Sequence, residues 1–372
     1  MKILINASNL KIGGGLQVAD SFCKNLINFP SHSFFAVLSS SLSKTGKAIE
    51  KYPNIEVFSY DIKNNISTLL FGRDKFLDCL VREKKADCVL TIFGPSRWNP
   101  KINHLSGFAM GQLVLKDSPF FSKLSIKDKI YWKFFFNLSR KYLFKRSTSL
   151  FYSENKYISE CAEKILKGSK CYTVTNYYNQ IYDNPSLWKD KTLKDFDGIS
   201  LLCISSYYPF KNLEISIGAS RILKERHKDF SFRFIFTCCE DDFPPMDENI
   251  RNHFVFLGRV DLEECPSLYR QCDLVFMPSL MECFTAVYPE AMKMQRPLIT
   301  SDLPFARSLC GKAAEYFSPL SEEDLAEKIF SLAQNNQRQK ELISQGKEQL
   351  KQYDNYNQRS QKIIDILEKE FS

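Results

Sequence analysis

The chain has 372 residues, a formal net charge of +8, 44% apolar residues and 25% charged residues. This length exceeds what one hydrophobic core normally supports, so two domains are expected. The composition is ordinary for a globular protein and excludes a disordered or collagen-like chain, and the moderate positive charge matters only where it is concentrated.

Short apolar runs alternate with longer amphipathic ones along the N-terminal half. Strands are predicted for KILINA, FFAVLSS, IEVFSY, CVLTIF, SLFYS and CYTVTN, and helices near 16–28, 69–85 and 154–166. The polar stretch DNPSLWKDKTLKDFDG then precedes a second series of strands, ISLLCIS, FRFIFTC, FVFLG, DLVFMPS, PLITS and EYFSP, with helices between and after them. Two successive strand–helix alternations predict two doubly wound parallel sheets.

Neither a membrane span nor a secretion signal is predicted. The N-terminal apolar run is too short for a signal-peptide core, and no later run approaches the roughly 18 apolar residues of a spanning helix. The 12 cysteines are scattered through apolar segments without a Cys-x-x-Cys pair, which is typical of buried reduced thiols. We therefore expect a cytoplasmic protein, either free or peripheral on the inner face of the cell membrane.

Three glycines follow the first predicted strand and precede a helix that begins near Leu16. Ligands of open parallel sheets lie beyond the carboxyl ends of the strands. Glycines such as Gly14 and Gly15 let the backbone approach a phosphate there, and a helix N-terminus supplies free N–H groups. A plain tight turn is the alternative interpretation. The absence of G-x-G-x-x-G disfavours a dehydrogenase.

The stretch PSLMECFTAVYPEAM carries two glutamates, Glu282 and Glu290, directly after the apolar run LVFM. On one continuous helix these side chains would point about 80° apart, which suits a paired acid and base poorly. We expect instead a loop that holds Glu282 and a helix, capped or opened by Thr285, that holds Glu290. The amides of Phe284, Thr285 and Ala286 could then bind a diphosphate, with Glu290 on the ribose and Glu282 on a sugar. The alternative is two solvated glutamates on an amphipathic helix.

From about residue 199 to 335, the chain resembles the C-terminal half of glycosyltransferase family 4, whose members have the GT-B fold. The likeness rests on consecutive segments, namely FLG, LYRQCDLVFMPS, the E-x7-E pair, PEAM, RPLITSDLP and CGKAAEYFSP. The glycine loop and CYTVTN extend it weakly to the N-terminal half. The resemblance implies an α/β protein of two Rossmann-like domains facing across a cleft. These are an acceptor-side domain at 1–178, rejoined by a C-terminal helix at 355–372, and a donor-binding domain at 179–354.

The resemblance also implies roles for individual residues. Lys211, in the segment YYPFKNLEIS, corresponds to the family lysine that faces the donor diphosphate. Ser206 stands where arginine is common, Cys283 and Thr285 where glycines are frequent, and Gln295 where a glycine is usual. The implied catalytic residues are Lys211, Glu282 and His104, the last as counterpart of a family histidine at the donor sugar, with a surface histidine as the alternative. The implied donor-binding residues are Gly14, Gly15, Ser206, Lys211, Gly258, Glu282, Phe284, Thr285, Ala286 and Glu290.

The implied reaction moves a sugar from a nucleotide diphosphate sugar to an acceptor hydroxyl, with retention at the anomeric carbon. Lys211, the helix amides and the glycine loop would stabilise the departing diphosphate. Neither a metal nor a cofactor is implied. The Asp-x-Asp triplet at 195–197 lies in the polar linker, and the four histidines show no ligand spacing.

Residues 115–147 carry nine Lys or Arg against two Asp, interleaved with aromatic side chains such as Trp132 and Phe135. This pattern is typical of helices that lie on anionic lipid. We expect residues 116–146 to meet an anionic membrane surface, and the acceptor to be a glycan or a lipid-linked glycan in surface polysaccharide or lipopolysaccharide synthesis. The alternative is a core helix with a basic solvated face. Nucleic acid is not expected, because no binding motif accompanies the patch.

Two other function classes stay open at this point. A nucleotide-sugar epimerase or hydrolase of the same architecture would need an acid and a base in the cleft. A non-catalytic nucleotide-sugar-binding scaffold is compatible with Ser206 and the missing glycines.

Overall fold

A computed structural model of the chain describes residues 1–11, 13–63 and 65–372. The chain divides into two compact units. The first contains residues 1–116, 125–176 and 354–372, and the second contains residues 117–124 and 177–353. The short segment 117–124 therefore packs with residues far from it in the chain, which the order of the predicted elements does not indicate.

Each unit is built on one parallel sheet. The strands of the first are β1 (Lys2–Ala7), β2 (Ser33–Leu38), β3 (Ile55–Ser59), β4 (Cys88–Thr91), β5 (Asn103–Gly107), β6 (Leu150–Ser153) and β7 (Lys170–Thr173). Those of the second are β8 (Ile199–Cys203), β9 (Phe232–Phe236), β10 (Phe254–Phe256), β11 (Leu274–Met277), β12 (Leu298–Ser301) and β13 (Glu315–Phe317). The predicted α/β class with two doubly wound sheets is confirmed. Only β5 was not predicted, because its sequence NHLSG is not an apolar run.

The helices follow the strands in chain order. They are α1 (Gly14–Asn25), α2 (Ser43–Ile49), α3 (Lys75–Lys84), α4 (Gly111–Val114), α5 (Ile126–Ile130), α6 (Asn137–Ser147), α7 (Lys156–Ile165), α8 (Ile215–Arg226), α9 (Glu248–Arg251), α10 (Cys265–Gln271), α11 (Val287–Lys293), α12 (Pro304–Cys310), α13 (Glu322–Gln334), α14 (Asn336–Leu350) and α15 (Tyr356–Phe371). Two further segments, Ser67–Phe71 and Tyr131–Phe136, are π-helical. Within the part of the chain that the structure describes, no helix is both long and apolar enough to cross a membrane.

Alternation along β1 shows that apolar layers cover both faces of the first sheet. Ile3 and Ile5 belong to one buried cluster, which includes residues of α1 and α15, while Leu4 belongs to another with residues of α3. Successive strand residues point to opposite faces, so a strand buried on both faces is a continuous apolar run. All 12 cysteines are free thiols and nine of them are buried, as expected from their apolar surroundings.

Strand order fixes where loops diverge in each sheet. The first sheet has the order β3-β2-β1-β4-β5-β6-β7, and the second has the order β10-β9-β8-β11-β12-β13. The direction of winding reverses between β1 and β4, and between β8 and β11. Loops leave these neighbouring strands in opposite directions, and the crevice at their carboxyl ends is the usual ligand site of an open α/β sheet. The glycines and glutamates that the sequence singled out lie in the loops after β1 and β11 and in the first turns of the helices that follow them.

Helix α15 is held on the first unit by apolar packing and one buried ion pair. Ile363 and Leu367 lie in the same buried cluster as Ile3 and Ile5. The guanidinium of Arg359 donates to Glu154 Oε1 at 3.3 Å, and the two side chains are only 4% and 6% exposed. Burial raises the pKa of Glu154 to about 7, although Arg359 and Asn176 oppose that rise.

We expect Arg359→Met to destabilise the protein, because Glu154 would remain buried without its cation. The free energy of unfolding should fall by about 3 kcal/mol at pH 8. The loss should be smaller at pH 5.5, where the carboxyl can take up a proton instead. Guanidinium unfolding at both pH values measures this, with Gln361→Ala, an exposed position of the same helix, as the control. Equal losses in the two variants would show that the ion pair does not hold α15.

Candidate functional site

Two loops meet at the switch point of the second sheet. The first follows β8 and spans residues 204–214, and the second follows β11 and spans residues 278–286. Their strands are hydrogen-bonded neighbours. The N–H of Leu280 donates to the Phe210 carbonyl at 2.8 Å, which joins the loops directly. Side chains of these two loops are therefore brought together by the sheet order.

Lys211 and Glu282 form an ion pair between the two loops. The Lys211 ammonium donates to Glu282 Oε1, and the side chains are 15% and 10% exposed. The hydroxyl of the fully buried Ser279 donates to the same carboxylate oxygen at 2.9 Å. Because most water is excluded, the two charges act on each other and on a ligand more strongly than they would on the surface. Two of the three predicted catalytic residues are thus in direct contact.

The backbone around Lys211 is fixed by its neighbours. Residues Pro209–Lys211 form a 3₁₀ turn in which the Lys211 N–H donates to the Tyr208 carbonyl at 2.8 Å. Asn212 then adopts a left-handed conformation with φ of 55°, which asparagine tolerates better than most residues. Its buried side chain donates to the Pro319 carbonyl at 3.2 Å. Lys211 therefore leaves the loop at a fixed position, just before a reversal of the chain.

Glu290 lies in the first turn of α11 and is 5% exposed. The hydroxyl of Tyr269 donates to Glu290 Oε2 at 2.9 Å. Burial raises the pKa of Glu290 to about 7, and the hydroxyls of Tyr269 and Tyr182 partly oppose this rise. The predicted loop-then-helix arrangement is present, whereas the alternative of two solvated glutamates is wrong. The prediction that Thr285 opens the helix is also wrong, since Ala286 is the N-cap and α11 begins at Val287.

The predicted donor-binding residues Ser206, Gly258 and Phe284 lie in loops at the same carboxyl edge, whereas Gln295 lies between α11 and β12 at the opposite edge. Ser206 is exposed, and its carbonyl accepts the Ser205 hydroxyl at 2.8 Å. Gly258 follows β10 with φ of 66°, and a Cβ there would meet open space. The ring of Phe284 meets the edge of Tyr353 at 6.2 Å between centroids. Gln295 has φ of 55°, so a backbone region that favours glycine explains why glycine is usual at this position.

The glycine loop lies at the switch point of the first sheet. Gly13 caps α1 with φ of 79°, and Gly14 and Gly15 are the first two residues of that helix. A Cβ at Gly13 or Gly14 would meet nothing within 4 Å, whereas one at Gly15 would touch Leu10 and Phe93 at 3.5 Å. The exposed backbone of Gly14 is therefore open to a ligand. These glycines belong to the first unit, whereas Lys211 and Glu282 belong to the second.

The placement of His104 at the donor sugar is wrong, and so is the alternative of a surface histidine. His104 lies near the start of β5, at the end of the strand opposite the ligand edge, and is 4% exposed. Its Nδ1–H donates to the Ser147 carbonyl at 3.0 Å, and the Thr91 hydroxyl lies 2.9 Å from Nε2. Burial lowers the pKa of this imidazole to about 4. Both ring nitrogens are engaged in the core, so His104 is a structural residue here.

Three residues that support the site carry no sequence signal of their own. Ser279 and Tyr269 each hold one of the two glutamates, and Lys123 donates to Asn212 Oδ1 at 2.6 Å. The segment LYRQCDLVFMPS contains Tyr269, but neither spacing nor charge distinguishes it from a core tyrosine. Among the described residues, no group of three His, Cys, Asp or Glu is placed to hold a metal ion.

A second candidate surface lies on the first unit and consists of apolar side chains that face solvent. Its residues are here called the aromatic patch, and the most exposed are Ile126 (77%), Ile130 (50%), Tyr131 (54%), Phe134 (53%), Phe135 (69%), Leu138 (65%) and Tyr142 (55%). Arg146 lies just after the patch and donates to the carbonyls of Leu69 and Leu70. It thereby joins the patch to the π-helical segment Ser67–Phe71, in which Leu70 and Phe71 are exposed.

The alternative of a core helix is therefore wrong for residues 126–142, because seven large apolar side chains of this segment face solvent. The predicted basic set also needs one correction. Lys123 belongs to the second unit, where it forms an ion pair with Glu214, so it is not part of the patch. The side chain of Lys133, another member of the set, lies outside the described part of the chain.

A family model matches a large part of the second unit. Residues 198–335 match the family model described as glycosyl transferases group 1. The uncharacterized glycosyltransferase MJ1178 of Methanocaldococcus jannaschii is 26% identical over 227 residues, and the O-antigen chain mannosyltransferase RfbU of Salmonella typhimurium is 23% identical over 227 residues. Each alignment covers 58% of this chain. The chain spans about 60% of the length of MJ1178 and 58% of that of RfbU.

The solved structures extend the likeness to the whole chain at the level of the fold. HepE of Anabaena, crystallised with UDP-glucose, has a TM-score of 0.64 and 16% sequence identity, and the match covers 99% of this chain and 100% of HepE. With the two parallel sheets, this match shows the predicted GT-B fold.

The raised pKa of Glu290 makes a prediction about stability. A carboxyl whose folded-state pKa is about 7, above the ordinary 4.5, favours the fold most below pH 4.5, and this contribution is lost as the pH rises through 7. We expect Glu290→Gln to abolish that loss. The melting temperature of Glu290→Gln minus that of wild type should therefore increase as the pH is raised from 5 to 8. Thermal melts across this range measure the effect, with the exposed Glu225→Gln as control. Parallel pH curves for wild type and Glu290→Gln would contradict the assignment.

Proposed function

We propose that this chain, a member of the GT-B glycosyltransferase superfamily, is a retaining enzyme of family 4 that moves a sugar from a nucleotide diphosphate sugar to an acceptor hydroxyl. The observation that carries the proposal is the Lys211–Glu282 ion pair. It lies at the switch point of a parallel sheet, within the segment that matches the family model.

Lys211 is the proposed partner of the donor diphosphate. Its ammonium is a compact positive charge in a mostly dry site, where it can stabilise the negative charge that develops on the leaving group. In the structure this charge is held by Glu282, so a diphosphate would compete with the carboxylate for Lys211. Glu282 could then accept hydrogen bonds from sugar hydroxyls. Glu282 would thus hold the Lys211 ammonium in place before the donor binds, and it would orient the sugar afterwards.

Glu290 is the proposed partner of the ribose. Tyr269 occupies Oε2, which leaves Oε1 for a ligand hydroxyl. Because the pKa of Glu290 is raised to about 7, its carboxylate form, which accepts hydrogen bonds with both oxygens, gains population as the pH rises through neutrality. The UDP-glucose complex of HepE supports a nucleotide sugar as the donor class. The backbone amides of Phe284, Thr285 and Ala286 complete the proposed donor-binding set with Ser206 and Gly258.

The proposed mechanism depends on position and electrostatics and uses neither a metal nor a cofactor. Retention requires the acceptor hydroxyl to approach the face of the sugar from which the diphosphate leaves. The bond from the anomeric carbon to the diphosphate oxygen breaks, the bond to the acceptor oxygen forms, and the acceptor proton passes to the departing diphosphate. Lys211 stabilises that anion throughout, and Gly14 and Gly15 are the proposed contribution of the first unit.

The proposed acceptor is a glycan, or a glycan on a lipid carrier, in the synthesis of surface polysaccharide or lipopolysaccharide. The similarity to the O-antigen mannosyltransferase RfbU supports this class of acceptor. The aromatic patch supports a peripheral position on the cytoplasmic face of the membrane. Exposed rings such as Phe134 and Phe135 can insert among lipid headgroups, while nearby cations such as Lys127 and Lys129 meet anionic lipid. Nucleic acid is not a proposed partner.

Donor binding can be tested by thermal shift with UDP, GDP, ADP, CMP, dTDP and their common sugar conjugates. One nucleoside diphosphate should stabilise the wild type, and Glu290→Ala should weaken its binding by about tenfold, the equivalent of one lost hydrogen bond to a charged group. Glu282→Ala should chiefly lower turnover. The exposed Glu225→Ala serves as the control. Equal affinity of wild type and Glu290→Ala would reject the ribose assignment, and release of free sugar or an isomer without acceptor would favour a hydrolase or an epimerase.

Membrane binding can be tested by co-sedimentation with vesicles that contain phosphatidylglycerol. Leu138→Ser should lower the bound fraction several-fold, because it removes a side chain that is 65% exposed in the aromatic patch. The matched control is Leu187→Ser, a leucine that is 54% exposed in the second unit. Binding should also weaken with added salt. Equal losses for the two variants, or equal binding to neutral vesicles, would contradict the proposed surface.

A further inference from the structure

We infer that the segment 117–124, here called the strap, positions the two loops of the candidate donor site, and that Ser118 and Lys123 are positioning residues of that site. The inference rests on the proposed function, because it assigns the strap to the loops proposed to bind the donor. The chain enters the second unit at residue 117 and leaves it at 124, well before the rest of that unit begins at residue 177.

Ser118 holds the loop that follows β11. Its hydroxyl donates to the Leu280 carbonyl at 2.6 Å, and it also accepts the Phe120 N–H at 3.2 Å at the start of the 3₁₀ helix Pro119–Lys123. Leu280 is fully buried, and its own N–H donates to the Phe210 carbonyl. The Ser118 hydroxyl therefore begins a chain of hydrogen bonds that passes through both loops.

Lys123 holds the loop that follows β8. Its ammonium donates to Asn212 Oδ1 at 2.6 Å and forms an ion pair with Glu214. Asn212 is 1% exposed and directly follows Lys211. The nitrogen of its side-chain amide donates a hydrogen bond to the Pro319 carbonyl. The strap lysine therefore provides one of the two described hydrogen bonds that fix the side chain of Asn212.

An aromatic contact completes the attachment. Phe120, at the centre of the strap, is 4% exposed, and its ring meets Phe210 edge-to-face at 6.3 Å between centroids. Such a contact adds a preferred orientation to the area that it buries. Phe210 in turn lies parallel to the ring of Tyr208 at 5.4 Å.

These contacts involve residues that are close in the chain to each member of the ion pair. The strap touches Phe210 and Asn212, the two neighbours of Lys211, and it touches Leu280, two residues before Glu282. Loops without such attachments sample several positions, and a catalytic group displaced by about 1 Å can lose a hundredfold in rate. The strap is thus placed to fix the position of the Lys211–Glu282 pair through these neighbouring residues.

The test compares Lys123→Met and Ser118→Ala with wild type. Hydrogen exchange of the amides in 208–214 and 279–286 should become at least about fivefold faster in both variants, because local opening costs less free energy. Affinity for the nucleoside diphosphate that stabilises wild type most should fall about tenfold in Lys123→Met. The melting temperature should stay close to that of wild type. Lys123→Arg, which keeps the cation, should restore most of the affinity, and Lys312→Met removes an exposed lysine of the same unit as the control.

The outcomes separate this inference from the proposed function. Unchanged exchange in both loops would overturn the strap inference, whatever the nucleotide result. Equal effects of Lys123→Arg and Lys123→Met would also overturn it, because a positioning role needs the cation. If no nucleoside diphosphate binds wild type, the proposed function fails, and loop exchange alone decides whether the strap holds the loops.

Discussion

The ion pair between Lys211 and Glu282 joins residues 71 positions apart in the chain, and it exists because β8 and β11 are neighbours in a parallel sheet. Parallel neighbours deliver their following loops to the same edge, and the reversal of winding between them leaves room for a ligand there. The contacts of Ser279, Asn212 and the strap then fix the two loops around the pair. The chemistry proposed for this edge therefore depends on strand order first and on side chains second.

The carboxylates of Glu154, Glu282 and Glu290 are largely shielded from solvent, and their charges are compensated in different ways. Glu154 has a buried guanidinium on α15 and keeps a helix in place. The negative charge of Glu282 is compensated by the ammonium of Lys211. A bound anion would compete with Glu282 for this ammonium. Glu290 is compensated by the hydroxyls of Tyr269 and Tyr182, and its raised pKa expresses the cost of burying its charge. A ligand hydroxyl would lower that cost, which is consistent with the proposed role of Glu290 as partner of the ribose.

Patterns within short segments predicted the fold well. Apolar runs marked every strand of the second sheet, and the loop-then-helix arrangement of Glu282 and Glu290 followed from their spacing of eight residues. The weak points were features that depend on distant segments. The polar strand β5 is defined by its neighbours β4 and β6, so no local pattern indicated that His104 lies within a sheet. Lys123 was assigned to a basic surface from the charges around it in the chain. Its partner Asn212 lies 89 residues further along, and no local pattern indicates such a contact.

The most direct test of the proposed donor site is a crystal structure of the protein with the nucleoside diphosphate that stabilises it most. The diphosphate should lie within hydrogen-bond distance of the Lys211 ammonium, at the carboxyl ends of β8 and β11, with a ribose hydroxyl on Glu290. In that complex Lys211 should have left Glu282 or should be shared with it. A nucleotide bound elsewhere, with the Lys211–Glu282 pair unchanged and Glu290 still in contact only with protein, would contradict the proposed site.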